Sequence, residues 1–102
     1  MDIRQLSEEV EHVSRQYAQT HHIERDETWF LLKLQEEVGE LTQAFLMLTG
    51  QARQKGKTRE ELQGEFHEEI ADTLCHVLLL ARYHSVDLER IIREKWLSWN
   101  QK

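Results

Sequence analysis

Two stretches of this chain, Leu34–Phe45 (LQEEVGELTQAF) and Glu65–His76 (EFHEEIADTLCH), each carry a row of acids beside a row of apolar side chains at helical spacing. At about 100° per residue, Glu36, Glu37 and Glu40 fall within about 100° of arc on one helix. Glu65, Glu69, Asp72 and His76 fall within about 60° on the other. If these helices pair antiparallel about a turn near Gly50 to Lys57, Glu40 stands level with Glu69, Glu37 with Asp72, and Lys33 with His76. Four carboxylates at two adjacent levels repel one another and lose hydration, so they require a cation. An all-oxygen set of this kind suits a hard divalent ion, Mg²⁺ or Mn²⁺. The pairing predicts a helical hairpin with a metal site on one flank.

Composition narrows the rest. The 102 residues include no proline, only four glycines, and 31% charged against 39% hydrophobic residues, so helix is favoured throughout. One all-α domain spanning 1–102 is expected. With 19 acidic against 13 basic residues and a formal net charge of −6, the chain argues against a nucleic-acid partner. No apolar run approaches membrane-spanning length, and the N-terminus, MDIRQLSEEVEH, has no apolar signal region. The single cysteine, Cys75, lies in an apolar helical run and reads as a small buried hydrophobe; with no disulfide partner it fits a reducing, cytoplasmic setting.

Along the chain, Ile3, Leu6, Val10, Val13 and Tyr17 mark the apolar face of a first helix, capped by Asp2 and ending near residue 20. His21 to Asp26 reads as a connection. The second helix starts after Asp26 and runs to about Leu48, with Phe30, Leu34, Val38, Leu41, Phe45 and Leu48 as its core stripe. Gly50 suits the position just past its end, and Gln51 to Lys57 forms a polar loop. Thr58-Arg59-Glu60-Glu61 is a capping box opening a third helix whose stripe is Phe66, Ile70, Leu74, Val77 and Ala81. Asp87 caps a fourth, with Leu88, Ile91, Ile92, Trp96 and Trp99 apolar. Four helices with short connections predict an up-down bundle. From Val77 to Ala81 the third helix is apolar on nearly every side, which predicts enclosure on more than one face and a homodimer at least. Glu8, Glu9, Glu11, Glu60 and Glu61 read as solvated helix faces.

The same residues resemble the MazG-like all-α nucleoside triphosphate pyrophosphohydrolases. Glu36-Glu37-Val38-Gly39-Glu40 followed by Glu69-Ile70-Ala71-Asp72 matches that family's EExxE…ExxD signature. The similarity continues through EEVGEL, HEEIADTL and VDLERIIREKW, in the expected order, over about residues 29 to 96. It implies Mg²⁺-dependent hydrolysis of a (deoxy)nucleoside triphosphate between the α and β phosphates, as nucleotide-pool house-cleaning. Carried over, Glu37, Glu40, Glu69 and Asp72 are the metal ligands, and Glu36 orients the attacking water or holds a second metal. Lys95 matches a recurring lysine near the end of the family's last helix and is either a phosphate contact or a solvated lysine. Relatives often place an asparagine four residues later; here Trp99 stands there and Asn100 follows.

Three neighbours of the acids have two readings each. Lys33 serves either an ion pair with Glu36 or Glu37 or a phosphate contact. His76 is either a substrate contact or a hydrogen-bonded histidine. Trp29, seven residues before Glu36, is either a nucleobase platform or a packing residue. At the level of function, phosphoribosyl-ATP pyrophosphatase shares the architecture and the acidic motif, and is the second reading behind house-cleaning. A non-enzymatic helical adaptor leaves the matched acids unexplained. A di-iron bundle needs Glu-x-x-His on two helices, whereas only Glu9-Val10-Glu11-His12 supplies one.

Overall fold

In the computed structural model, which describes residues 1–101, the chain forms α1 (Ile3–Thr20), α2 (Glu27–Leu48), α3 (Arg59–Tyr83) and α4 (Leu88–Lys95), then a 3-10 turn over Leu97–Gln101. All-α architecture with four helices is therefore the fold, and no strand occurs among the described residues.

Local chemistry sets the starts. The Asp2 carboxylate accepts from the Gln5 amide at 2.8 Å, while the Gln5 side chain accepts from the Asp2 amide at 2.9 Å. Asp26 accepts from the Trp29 amide, Thr58 and Glu61 exchange the two bonds of a capping box, and Asp87 accepts from the Arg90 amide. Each cap satisfies amide donors that the first helical turn leaves open. The three long helices also end alike. His22, Gly50 and Ser85 take left-handed backbone angles, with φ of 54°, 77° and 56°. The next amide in each case, Ile23, Gln51 or Val86, returns to the carbonyl five residues back at 2.8–2.9 Å. This is the Schellman closure, normally reserved for glycine at the left-handed position.

Packing centres on the α2–α3 hairpin, with α1 laid against α3. The core holds Ala18, Phe30, Ala44, Met47, Leu62, Leu78, Leu79 and Ala81. Aromatic stacking closes the open end of the hairpin, where the Phe30 and Tyr83 rings lie 4.7 Å apart. Several expected core residues are not buried. Val38, Phe45, Ile70 and Leu74 are 38–50% exposed. The reason is a rotation: α2 meets α3 along Phe30, Glu37, Ala44 and Met47, at the border between its apolar stripe and its acidic arc. The centres of both apolar stripes are left facing outward. α4 carries no buried residue, and Trp96 and Trp99 are about two-thirds exposed.

Glu11 departs from its solvated reading. It is buried on the face of α1 that also carries Ser14 and Ala18, and it is gripped by Arg25 from the α1–α2 connection. Val10, Val13 and Tyr17 dominate the hydrophobic pattern of α1, but the face that packs is the small-residue one carrying Ala18.

Candidate active site

The rotation that exposes the apolar stripes brings the acids together. Oxygens of Glu37 and Glu40, one turn apart on α2, and of Glu69 on α3 all lie within 4.8 Å of one another. Glu37 is buried, Glu69 half-buried and Glu40 exposed, so the cluster opens to solvent on one side. One oxygen each of Glu37 and Glu69 is buried without a hydrogen-bond partner among the described residues. An ionised carboxylate in that state is costly, and no lysine or arginine among the described residues pairs with either group. Lys33 turns to Glu36 at 3.3 Å, and Lys57 turns to Glu65 at 2.7 Å.

Proton affinities record the strain. Burial, then the charges of Glu40 and Asp72, push the Glu37 carboxyl up to about 7. Burial and the same two neighbours also raise Glu69. His76 Nε2 stands 3.8 Å from Glu37, but burial and the nearby Lys33 charge lower its proton affinity. Its Nδ1 is likewise buried and unpaired among the described residues.

The donor set fits a divalent ion of the magnesium or manganese type. It consists of carboxylate oxygens alone, two of them buried and otherwise unsatisfied. Magnesium–oxygen bonds of about 2.1 Å bring opposite ligands to about 4.2 Å apart, so the cluster is near that size before any ion draws it in.

Two hollows flank the cluster. The larger, about 620 Å³, is walled on one side by Leu6, Val10, Val13 and Tyr17 of α1 and on the other by Trp29, Lys33, Glu37, Asp72, Cys75 and His76. The smaller, about 380 Å³, includes Glu40, Glu65, Glu68 and Glu69 on the turn side. A polar end beside the acids and an apolar end against α1 is the layout that a nucleotide-sized ligand requires.

The expected site residues are thus distributed unevenly. Glu37, Glu40 and Glu69 converge. Asp72, one turn beyond Glu69, lies outside that three-carboxylate set but lines the larger hollow and raises the proton affinity of Glu37 and Glu69. Glu36 is exposed, lines neither hollow, and is bound to Lys33, which lines the larger one. Trp29 is half-buried, its ring centroid 6.4 Å from that of His76. Lys95 is exposed at the end of α4, and α4 contributes to neither hollow. The sequence reading missed the α1 wall, whose stripe looked like core. The available signal was the second, small-residue face of Ser7, Ser14 and Ala18, which frees the stripe for another role.

A family model described as phosphoribosyl-ATP pyrophosphohydrolase matches residues 3–95, from the start of α1 to the end of α4. No curated protein and no solved structure matches the chain. The match favours the function that the sequence motifs had put second, ahead of nucleotide house-cleaning.

Proposed function

The chain belongs to the phosphoribosyl-ATP pyrophosphohydrolase family, within the MazG-like nucleotide pyrophosphohydrolases, and we propose that it cleaves phosphoribosyl-ATP between the α and β phosphates with Mg²⁺, releasing pyrophosphate. The observation that carries the reading is the trio Glu37, Glu40 and Glu69, with a buried oxygen on Glu37 and another on Glu69 that no described residue satisfies. These residues, with Asp72, would hold the ion. A bound divalent ion would supply neutralising charge for the polyphosphate and Lewis acidity at the scissile phosphoryl group.

The remaining roles belong to side chains. Glu36, outside the ion-holding set, accepts the proton of the attacking water, and its ion pair with Lys33 ties that carboxylate to the edge of the larger hollow's lining. His76, with an unpaired ring nitrogen, donates to a phosphate oxygen when protonated. Trp29 offers a face to the base in the larger hollow. Lys95 could reach phosphate only from a neighbouring subunit or after α4 moves.

The outward apolar strip of Val38, Phe45, Ile70 and Leu74 supports a homodimer, with a homotetramer as the larger assembly. The unpaired Cys75 supports a reducing, cytoplasmic setting. House-cleaning of (deoxy)nucleoside triphosphates remains the second reading, favoured by the EEVGEL and REKW segments.

Pyrophosphate release, followed with Mg²⁺ across phosphoribosyl-ATP and a panel of nucleoside triphosphates, tests the assignment. The highest kcat/KM is expected for phosphoribosyl-ATP. A preference for a simple or modified triphosphate selects house-cleaning, and no release from any nucleotide rejects both.

A further inference from the structure

The α1 wall of the larger hollow is held by a charged latch rather than by its own apolar stripe. Val13 and Tyr17, which should anchor such a helix, are 64% and 53% exposed and face the hollow. What ties α1 to the start of α2 is Arg25. Its guanidinium grips both oxygens of Glu11 at 2.9 Å, donates to Ser14 Oγ at 3.1 Å, and lies 5.2 Å from the centroid of the Phe30 ring at the base of α2. Arg15 braces the same carboxylate from within α1 at 2.8 Å. Both partners of the cross-link are largely buried, with side chains 14% and 11% exposed.

Two of the tied residues border the hollow directly or through a neighbour. Ser14 lines it from α1, and Phe30 lies next to Trp29, which lines it from α2, with the two rings 5.0 Å apart. The forked contact fixes α1 against α2 in distance and angle, since a planar guanidinium cannot hold both carboxylate oxygens and a hydroxyl in another orientation. α1 packs on α3 rather than on α2, so apart from the connection itself little else fixes α1 against the start of α2.

We propose that Arg25 and Glu11 are positioning residues that set the width of the nucleotide pocket by holding α1 opposite Trp29 and His76. This rests on the larger hollow being the substrate pocket. The latch touches neither the acids nor the reacting phosphates, so its loss weakens ground-state binding and leaves the chemical step alone.

Cys75 is a built-in reporter: it is the chain's single cysteine and lines the hollow opposite α1. The experiment compares wild type, Arg25→Gln and Arg25→Lys well below their melting temperatures. Cys75 alkylation by a small iodoacetamide reagent, KM, kcat and Mn²⁺ affinity are measured on each. For Arg25→Gln, alkylation accelerates severalfold and KM rises by about tenfold, equivalent to about 1.4 kcal/mol of lost ground-state binding. Its kcat and Mn²⁺ affinity stay within about twofold, as a purely ground-state effect requires. Arg25→Lys falls between the two because it keeps the charge but loses the fork. Unchanged alkylation and KM in folded Arg25→Gln overturn the proposal, as does alkylation that accelerates only in step with global unfolding. If Arg25→Gln does not fold, Arg25→Lys decides by the same two readouts. A wild type that hydrolyses no nucleotide refutes the enzymatic reading instead, while the alkylation arm still judges the latch.

Discussion

Glu37 and Glu11 are the two buried acids among the described residues, and their opposite surroundings give them opposite pH behaviour. Glu37, crowded by acids, has its proton affinity raised to about 7 from 4.5. The metal-free protein gains stability from the protonated form; that gain is complete below about pH 4.5 and disappears as pH rises through about 7, up to about 3 kcal/mol in all. Glu37→Gln should make the metal-free protein more stable at pH 8 and flatten this dependence, as read by urea unfolding across pH. A wild type equally stable from pH 5 to 8 would contradict it. Glu11 is instead held below the usual carboxylate range, first by its hydrogen bond to Arg25. Its contribution is present above about pH 4.5 and is lost as pH falls through its lowered value. Glu11→Gln should cost about 2 kcal/mol at pH 7, the scale of a charge-assisted hydrogen bond, and less in acid. The same unfolding series measures both.

At the scale of elements, what was legible was what is local. Asp2, Thr58 and Asp87 cap where their sequence context predicts, and Asp26 caps the helix expected to start after it, because a cap joins a side chain to an amide three residues on. The rotation of each helix was not legible. On α2 the apolar stripe adjoins the acidic arc, and periodicity gives both without saying which border meets α3. Ala44, small enough for close approach, decides it with Glu37 and Met47 beside it. The same difficulty hid Glu11, whose partner lies 14 residues away in a connection without a pattern. The approach of Glu40 and Glu69 was legible because level pairing across a hairpin depends only on distance from the turn, whereas Asp72, expected level with Glu37, lies outside the three-carboxylate set. The helix ends give a separate test. Ser85 is left-handed without being glycine, so Ser85→Gly should raise stability by about 0.5–1 kcal/mol in thermal unfolding. A loss of that size would show that the Ser85 side chain has a use in the folded state.

The whole molecule is looser than its length predicts. Its radius of gyration is 16.4 Å, against about 13 Å for a compact chain of this size, and it is flattened to 47 × 43 × 25 Å. An outward apolar strip on the α2–α3 hairpin and an α4 with no buried residue fit a protomer completed by a second copy. Ile70→Glu, at the middle of the strip, should convert a dimer to monomer in size-exclusion chromatography with light scattering. A wild type that is already monomeric at micromolar concentration would remove that explanation. No helix among the described residues is long and apolar enough to cross a membrane, so the strip is not part of such a span.

The proposed chemistry requires three carboxylates, from two helices, to share one divalent ion. Mn²⁺ titration followed by electron paramagnetic resonance reads that directly, on wild type and on Glu40→Gln and Glu69→Gln, each checked for helicity by circular dichroism. Wild type should bind the ion and both folded variants should lose that binding by about tenfold or more, since each removes one charged ligand from the set. Equal Mn²⁺ affinity in all three proteins would contradict it.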